Sequence, residues 1–432
     1  MNSNEYKLYH ESLMKNNNGS NAVHTFFCIF FTVQCTLLCT IQEKKRLPLQ
    51  YLYEYIVIVL PLILAHTLLA EYIYHLNIII MIMLLYNVVN LNIPKMLELL
   101  NDSNKICRKR LHTITSLRGL TYLITAVAIL AVDFKHFPRY LAKTEMYGYS
   151  LMDTGVGLFV LMSGLVHRDF KNDNLLKIGK NNFKFISILL MLGIGRFISI
   201  KQMDYHEHVT EYGVHWNFFF TLAFCKLIST IFLLASNKSL LLSIITIFIH
   251  EMLLYNGLEE WVFSGSLRLT LIDANREGIS SNLGYVCLYL FAVHVKKLLL
   301  EETKSTLKKL VSYAIASVFL AYFVNLFRPT SRTLANAGYI LFLISVFLVI
   351  LSILLFFELC LENKVFQTPL IVSAINDNGL IYFLICNIST GLVNLMFQTL
   401  LLSAGNTFVI LNIYMVSTLF VTVLLNKSDI KI

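Results

Sequence analysis

Charged residues are scarce in this 432-residue sequence: Asp, Glu, Lys and Arg together make up 14% of it, whereas 56% is hydrophobic. A soluble domain is about one quarter charged, so this deficit excludes a soluble globular protein and predicts a polytopic membrane protein. The net charge of +9 does not indicate a nucleic-acid partner. The basic residues lie in short loops between apolar runs, where they orient membrane spans.

Nucleotide-binding and hydrolase motifs are also missing. The sequence has no Gly-rich phosphate loop, no G-x-S-x-G elbow and no H-E-x-x-H, and no Ser or Cys nucleophile stands beside a base. Its eight cysteines show no C-x-x-C spacing and lie mostly inside apolar runs. They are therefore predicted to be small buried hydrophobes, with no disulfide framework and no zinc site. For a transferase, direct transfer between two bound substrates is the simplest scheme.

Long apolar runs dominate the chain. A helix needs about 17–25 such residues to cross a bilayer, which predicts an all-α, polytopic integral membrane protein with about thirteen spans. The span region, 22–425, forms one domain between a polar tail, 1–21, and a short tail, 426–432. The predicted spans are 22–41, 51–69, 72–92, 118–133, 150–167, 183–200, 214–235, 240–256, 283–295, 309–326, 335–357, 373–397 and 406–425.

Basic residues are distributed unequally between the two sides that these spans define. Ten Lys and Arg fall on the side of the N-terminus and twenty-three on the other. Because positive residues favour the cytoplasm, the N-terminus is predicted to be luminal and the C-terminus cytosolic. The luminal loops, 133–149, 201–213, 257–282 and 327–334, then carry nearly all unusual polar clusters. We expect these four loops to form a single site.

The first of these loops carries the sharpest candidates. Asp133 closes an apolar helix, and Lys143 follows ten residues later. A carboxylate at an apolar boundary suits a general base, and a nearby ammonium suits the stabilisation of an oxyanion on an acyl carbonyl. The alternative is a structural salt bridge that pins the loop.

Other polar residues of this loop are candidates for substrate binding. Arg139 either binds a phosphate through its planar fork or extends to the membrane interface. Glu145 and Asp153 are further candidates, and Ser150 is predicted to cap the next helix.

The second loop invites two interpretations. His206, His208, Glu211 and His215 resemble a metal site, but the pattern is weak because no second acidic ligand is well placed, and no metal is predicted. Instead, we expect His215, Trp216 and Asn217 to line a cavity at the mouth of the next span, where they bind a polar headgroup.

The third and fourth loops add candidate phosphate contacts. Arg276 and Arg332 are the natural ones, with Asn275 and Asn336 beside them; ordinary interfacial anchoring is the alternative. Arg196 lies inside an apolar run and needs a partner, for which Asp204 and Glu207 are the candidates.

Several stretches resemble one known family in the same order. They are AILAVDFKHFPRYLAKTEMYGYSLMDTGVG (128–157), YHEHVTEYGVHWNFFFTL (205–222), DANREGISSNLGY (273–285), SRTLANAGYILF (331–342) and NISTGLVNL (387–395). They are similar to the motifs of the PIG-W type inositol acyltransferases. Two positions depart from the family pattern: Tyr140, where a second basic residue often follows FPR, and Tyr149, where a small hydroxyl residue is common.

The resemblance implies a multi-pass enzyme of the endoplasmic reticulum membrane whose site faces the lumen. Such an enzyme moves a fatty acyl group, usually palmitoyl, from acyl-CoA to the inositol 2-hydroxyl of glucosaminyl-phosphatidylinositol. The family's essential acidic and basic pair falls on Asp133 and Lys143. Acyl-CoA is a co-substrate rather than a bound cofactor, membrane lipids are partners, and no nucleic acid or metal is involved.

Two other functions remain open at this point. A secondary transporter also has many spans and intramembrane charges, but it usually has repeat-related halves, and no repeat is visible here. A membrane acyltransferase acting on a lysolipid or a sterol shares the chemistry.

Overall fold

The computed structural model describes residues 5–6, 9, 12–13, 15–41, 49–89, 112–168, 175–202, 209–300, 303–361 and 366–428. Over these residues the protein is helical, and the only extended pairing consists of two isolated bridges from Gly19 and Ser20 to Tyr149. The longer helices are α1 (Ala22–Ile41), α2 (Gln50–His66), α3 (Ala70–Val89), α4 (His112–Ala131), α5 (Leu151–Leu165), α6 (Leu175–Gln202), α7 (Phe218–Ala235), α8 (Ser239–Phe263), α9 (Arg276–Leu299), α10 (Thr303–Phe327), α11 (Ala337–Cys360), α12 (Leu370–Asp377), α13 (Gly379–Met396) and α14 (Ala404–Lys427).

Each of the thirteen predicted spans coincides with helical structure. Ten of the described helices are long and apolar enough to cross a membrane, and α2 and α5 are shorter apolar helices. The prediction of an all-helical protein with many apolar helices is therefore confirmed, while the count of thirteen stays a prediction. The described cysteines are all buried, and none is in a disulfide.

Several predicted spans have different ends from the observed helices; α6, for example, begins at Leu175 rather than near residue 183. Two of these differences have a clear physical cause. Helix α9 begins at Arg276 rather than near residue 283, because its polar first turns are buried inside the bundle instead of forming a loop; Glu277 is only 3% exposed. The predicted span 373–397 is two helices, broken at Asn378, whose φ of −122° and ψ of 32° are not helical. The break falls in the run Asn-Asp-Asn-Gly (376–379), in which every residue has weak helix propensity.

The core of the bundle is formed by α1, α4, α9 and α11. Between 72% and 83% of the apolar window of each of these helices is buried, against 17–22% for α3, α8 and α10. Helix α5 packs closely on α9: a Cβ at Gly164 would lie 2.6 Å from the carbonyl oxygen of Tyr289. The exposed apolar helices therefore form the outer layer, the surface suited to lipid.

Two buried carboxylates cap helices within this bundle. Glu358 accepts hydrogen bonds from the backbone N–H of Thr113 (2.8 Å) and from its hydroxyl (2.5 Å), at the start of α4. Glu54 accepts from the backbone N–H groups of Leu370 and Ile371, at the start of α12. Each carboxylate satisfies N–H groups that lack a partner inside their own helix and lies at the positive end of the helix dipole. These buried charges thus fix where helices begin.

Four segments meet at one end of the bundle: 132–150, 209–217, 264–275 and 328–336. The backbone N–H of Gly148 donates to Thr330 O (2.8 Å), and that of Val214 donates to Ala274 O (2.8 Å). The side chain of Lys143 contacts Glu211. The described parts of the four predicted polar loops therefore meet on one side, and we call this end of the bundle the loop face.

Candidate functional site

A cavity of about 640 Å³ opens among α1, α4, α5, α6, α7, α11 and α13. Most of its lining is aliphatic and aromatic, with residues such as Leu120, Phe159 and Phe383. Large, mainly apolar cavities with a few polar groups are typical of sites for small or lipidic ligands. The charged residues of its lining are Lys143, Arg196 and Glu211.

Lys143 and Glu211 form an ion pair at the cavity. The ammonium Nζ lies 2.5 Å from Glu211 Oε1, and the two side chains are 36% and 20% exposed. Burial by itself would raise the pKa of Glu211, but Lys143 and then Arg332 outweigh it and lower this pKa to about 2. Glu211 is therefore an anion at any physiological pH.

The residue after Lys143 is anchored to a second buried ion pair. Thr144 donates its hydroxyl to Asp153 Oδ2 (2.7 Å), and its backbone N–H also points at this carboxylate. Arg332 Nε lies 3.0 Å from Asp153 Oδ1, and both side chains are at most 4% exposed. Burial lowers the pKa of Arg332, but Asp153 and Glu211 outweigh it, so the net shift is upward and Arg332 stays charged. Lys143 is thus held at the edge of a buried charge network.

Asp153 also lies in the first turn of α5, which Ser150 caps as the sequence predicted. Ser150 is the N-cap: its hydroxyl accepts from the backbone N–H of Asp153 (3.1 Å). The Tyr339 hydroxyl on α11 donates to Asp153 O (2.7 Å). This end of α5 is therefore fixed to both the first and the fourth loop.

Asp133 lies just past the end of α4 and is 2% exposed. Its Oδ2 accepts a hydrogen bond of 2.7 Å from Asn394 Nδ2 near the end of α13. Asn394 lines the cavity, as does Val132, the neighbour of Asp133. The two predicted catalytic residues thus meet the same cavity, Lys143 directly and Asp133 through Asn394.

The N-terminal segment holds the loop that carries both residues. Asn17 Nδ2 donates to the carbonyl oxygens of Arg139 (2.9 Å), Ala142 (3.1 Å) and Lys143 (2.9 Å). The backbone N–H of Glu145 donates to Asn17 O (3.0 Å), and Glu145 Oε2 accepts from Asn16 N (2.6 Å). Both of these contacts therefore join Glu145 to the N-terminal segment.

Arg139 acts inside the same loop. Its guanidinium donates to Val132 O (2.8 Å) and Phe134 O (2.9 Å). Burial lowers its pKa, against the opposing effect of Asp133. These bonds close the turn that follows α4.

The predicted headgroup residues of the second loop lie beside the cavity rather than in its lining. Asn217 caps α7 by accepting from the N–H groups of Phe219 and Phe220, and it donates to Gly193 O on α6 (2.9 Å). Trp216 donates to the Thr221 hydroxyl (2.9 Å). The His215 ring packs 5.5 Å from that of Phe197.

The predicted residues of the third and fourth loops make similar internal contacts. Asn275 accepts from the backbone N–H of His215 (2.8 Å). Arg276, 4% exposed, donates to Ser264 and Ser266. Asn336 caps α11 by accepting from Tyr339 N (3.2 Å). These side chains shape the loop face and join its segments.

Of the predicted site residues, then, Lys143 is the one that lines the cavity. The lining also contains polar residues that were not predicted as site residues: Arg196, Glu211, Asn387, Thr390 and Asn394. A charge inside an apolar run marks Arg196, and the N-x-x-T-x-x-x-N spacing at 387–394 places Asn387, Thr390 and Asn394 on successive turns of one helix. The proposed partners of Arg196, Asp204 and Glu207, lie outside the described residues.

The helical bundle and its apolar helices define a polytopic membrane protein, and the bundle encloses a mainly apolar cavity with an ion pair in its lining. The sequence profile of the GWT1 family matches residues 6–425, and the chain belongs to that family. A human relative named glucosaminyl-phosphatidylinositol-acyltransferase PIGW is 34% identical, over 73% of each chain. A Kluyveromyces lactis relative named GPI-anchored wall transfer protein 1 is 36% identical over 74% of this chain and 73% of its own. The Schizosaccharomyces pombe protein of the same name is 31% identical over 95% of each.

Proposed function

We propose that this protein is an acyltransferase of glycosylphosphatidylinositol assembly that moves a palmitoyl group from acyl-CoA to the inositol 2-hydroxyl of glucosaminyl-phosphatidylinositol. The observation that carries the proposal is the apolar cavity with Lys143 in its lining and Asp133 bonded to its wall. The names of the relatives support the reaction class and the acceptor lipid. The acyl donor and its chain length come from the family resemblance.

In this reaction both substrates bind together. Asp133 takes the proton of the inositol hydroxyl as its oxygen attacks the thioester carbon. The carbonyl electrons collapse back as the carbon–sulfur bond breaks, and the thiolate leaves with the proton from Asp133. The ammonium of Lys143 stabilises the oxyanion that forms in between. The products are the inositol ester and free CoA.

The apolar part of the cavity binds the acyl chain. The walls of the cavity are formed by helices of the bundle. An acyl chain that binds there is therefore transferred from water or lipid to a protein environment. Binding energy from this remote chain then helps to place the thioester near Asp133.

The cellular setting is part of the same proposal. With thirteen spans, as we propose, the loop face and the N-terminus lie in the lumen of the endoplasmic reticulum and the C-terminus lies in the cytosol. This orientation rests on the excess of basic residues in the loops of the other side.

The test is acyl transfer from radiolabelled palmitoyl-CoA to glucosaminyl-phosphatidylinositol in microsomes. We expect wild-type protein to form an alkali-labile inositol ester, and Asp133→Asn and Lys143→Gln, at equal abundance, to lose at least 100-fold in rate, in the range of ~10²–10⁴ for a lost acid–base group. Asp273→Asn and Lys135→Gln change the same residue types on the loop face and should retain activity. Activity in Asp133→Asn would make Asp133 structural, and an inactive wild type would reject the proposed reaction.

A further inference from the structure

Glu211 is the one acidic side chain among the described residues that line the cavity. Its Oε1 accepts from Lys143, whereas its Oε2 accepts no hydrogen bond from any residue that the structure describes. The side chain is 20% exposed and belongs to the lining of the cavity.

The charges around the cavity favour a ligand that carries both signs. Lys143 and Arg196 contribute two positive charges to the lining, and Glu211 contributes one negative charge. The lipid in the proposed reaction carries a phosphodiester, which is an anion, and the amino group of glucosamine, which is a cation when protonated. A site with two cations and one carboxylate is complementary to such a zwitterionic headgroup.

We infer that Glu211 binds the protonated amino group of the sugar through Oε2 and thereby selects an amino sugar over a neutral one. This inference rests on the proposed function, because it concerns the same lipid at the same cavity. The phosphodiester of the lipid lies on the side of Lys143 and Arg196. The ammonium group of the sugar and that of Lys143 both contact Glu211. The low pKa of Glu211 keeps the carboxylate charged for this contact.

Sharing the carboxylate has a consequence for Lys143. When a second ammonium binds Glu211, the attraction that holds Lys143 is divided between two cations. Lys143 is then less tightly held and can turn toward the thioester oxygen. Binding of the correct headgroup thus assists catalysis as well as affinity, which is how an enzyme turns recognition into rate.

The experiment compares two acceptor lipids that differ at one atom. Glucosaminyl-phosphatidylinositol carries the amine, and synthetic glucosyl-phosphatidylinositol carries a hydroxyl in its place. We measure kcat/KM for both with radiolabelled palmitoyl-CoA in microsomes that contain wild type, Glu211→Gln or Glu260→Gln. Glu260 is an exposed glutamate of α8 and controls for the change of residue type.

We expect wild type and Glu260→Gln to prefer the amino lipid by roughly 10- to 100-fold, the range for a hydrogen bond to a charged group. Glu211→Gln should bring the ratio of the two lipids close to one. A merely structural role in holding Lys143 would instead lower both rates by the same factor and leave the ratio unchanged, which would overturn the inference.

The wild-type protein alone provides a second test, in case Glu211→Gln does not fold. Equal acylation of both lipids by wild type rejects the amine subsite while the proposed function stands. Acylation of neither lipid rejects the proposed function, and the subsite with it.

Discussion

The side-chain amide of Asn394 donates a hydrogen bond of 2.7 Å to Oδ2 of Asp133. This bond joins the end of α13 to the first turn after α4, and it fixes the carboxylate of the proposed base against the cavity wall. A hydrogen bond to a charged group contributes about 1.5–3 kcal/mol. Its orienting role can be tested separately from the chemistry of Asp133 itself.

Replacing Asn394 with Ala should lower kcat for acyl transfer by roughly 10- to 100-fold while KM for palmitoyl-CoA changes little. The reason is that Asp133 keeps its charge but loses its fixed position. Asn387→Ala is the matched control: Asn387 also lies on α13 and lines the cavity, but its amide donates to Phe383 O of its own helix. If both variants have the same kcat, Asn394 does not position Asp133.

The contact of Asn17 with the loop that carries Lys143 predicts that the N-terminal segment is needed for activity. Asn17→Ala removes three hydrogen bonds to the carbonyls of residues 139–143, so the loop that carries Lys143 is held less firmly. We expect kcat to fall by roughly tenfold, because each bond contributes about 0.5–1.5 kcal/mol and water replaces part of the loss.

Its neighbour provides the control. The Asn18 side chain is exposed, so Asn18→Ala changes the same residue type without removing the hydrogen bonds to the loop. Wild-type activity is expected for this variant. Equal activity of the Asn17 and Asn18 variants would show that residues 16–20 only rest on the loop.

The low pKa of Glu211 predicts how the stability contributed by the Lys143–Glu211 pair depends on pH. The pKa is about 2 in the folded protein, below the ordinary value of 4.5. A depressed pKa contributes stability that is present above the unfolded value and is lost as pH falls toward the folded value. The difference in melting temperature between wild type and Glu211→Gln should therefore be constant from pH 8 down to about pH 5 and shrink below that.

The measurement is the midpoint of thermal unfolding in detergent at several pH values. Glu260→Gln serves as reference because Glu260 is exposed. A difference that already disappears between about pH 7 and pH 6 would contradict a strongly ionised Glu211.

The cavity predicts a change in acyl-chain preference at Gly155. This residue lines the cavity, and a Cβ there would meet only Thr125 Oγ1, at 3.9 Å. The side chain of Gly155→Leu therefore has room to enter the cavity and shorten it. We expect the ratio of kcat/KM for myristoyl-CoA over palmitoyl-CoA to rise roughly tenfold, since each buried methylene contributes about 0.8 kcal/mol.

Gly405→Leu is the matched control, because Gly405 is exposed in the first turn of α14 and a Cβ there meets nothing within 4 Å. It should leave the ratio unchanged. An unchanged ratio in Gly155→Leu as well would place the acyl chain elsewhere.

Hydropathy and charge predicted much of the architecture. The length of the apolar runs located the helices, and the alternation of loops between two sides predicted which loops meet. The Ser150 cap followed from local sequence, because capping involves residues three apart. By contrast, the start of α9 was missed since its polar residues are buried, and polarity alone cannot tell a loop from the polar end of a buried helix.

The pairing of side chains could not be read from the sequence. Lys143 and Glu211 are 68 residues apart, and Asp133 and Asn394 are 261 apart, so only the packing of the helices brings them together. Glu211 was noticed as part of a weak metal pattern because it stands among histidines. Its role as the partner of Lys143 depends on the approach of two loops, which no local pattern specifies.

The attachment of residues 16–20 to the loop 139–149, and of that loop to Thr330 and Ser331, bears on the order in which the protein matures. The ribosome synthesises residues 16–20 first, the loop that they contact more than a hundred residues later, and the segment that holds this loop from its other side only after three quarters of the chain has been made. The first helices are therefore already in the membrane before residues 16–20 can contact the completed loop. The loop 139–149 acquires its final shape late in biosynthesis, and a nascent chain that ends before residue 330 lacks contacts that hold this loop, however well its first helices have inserted.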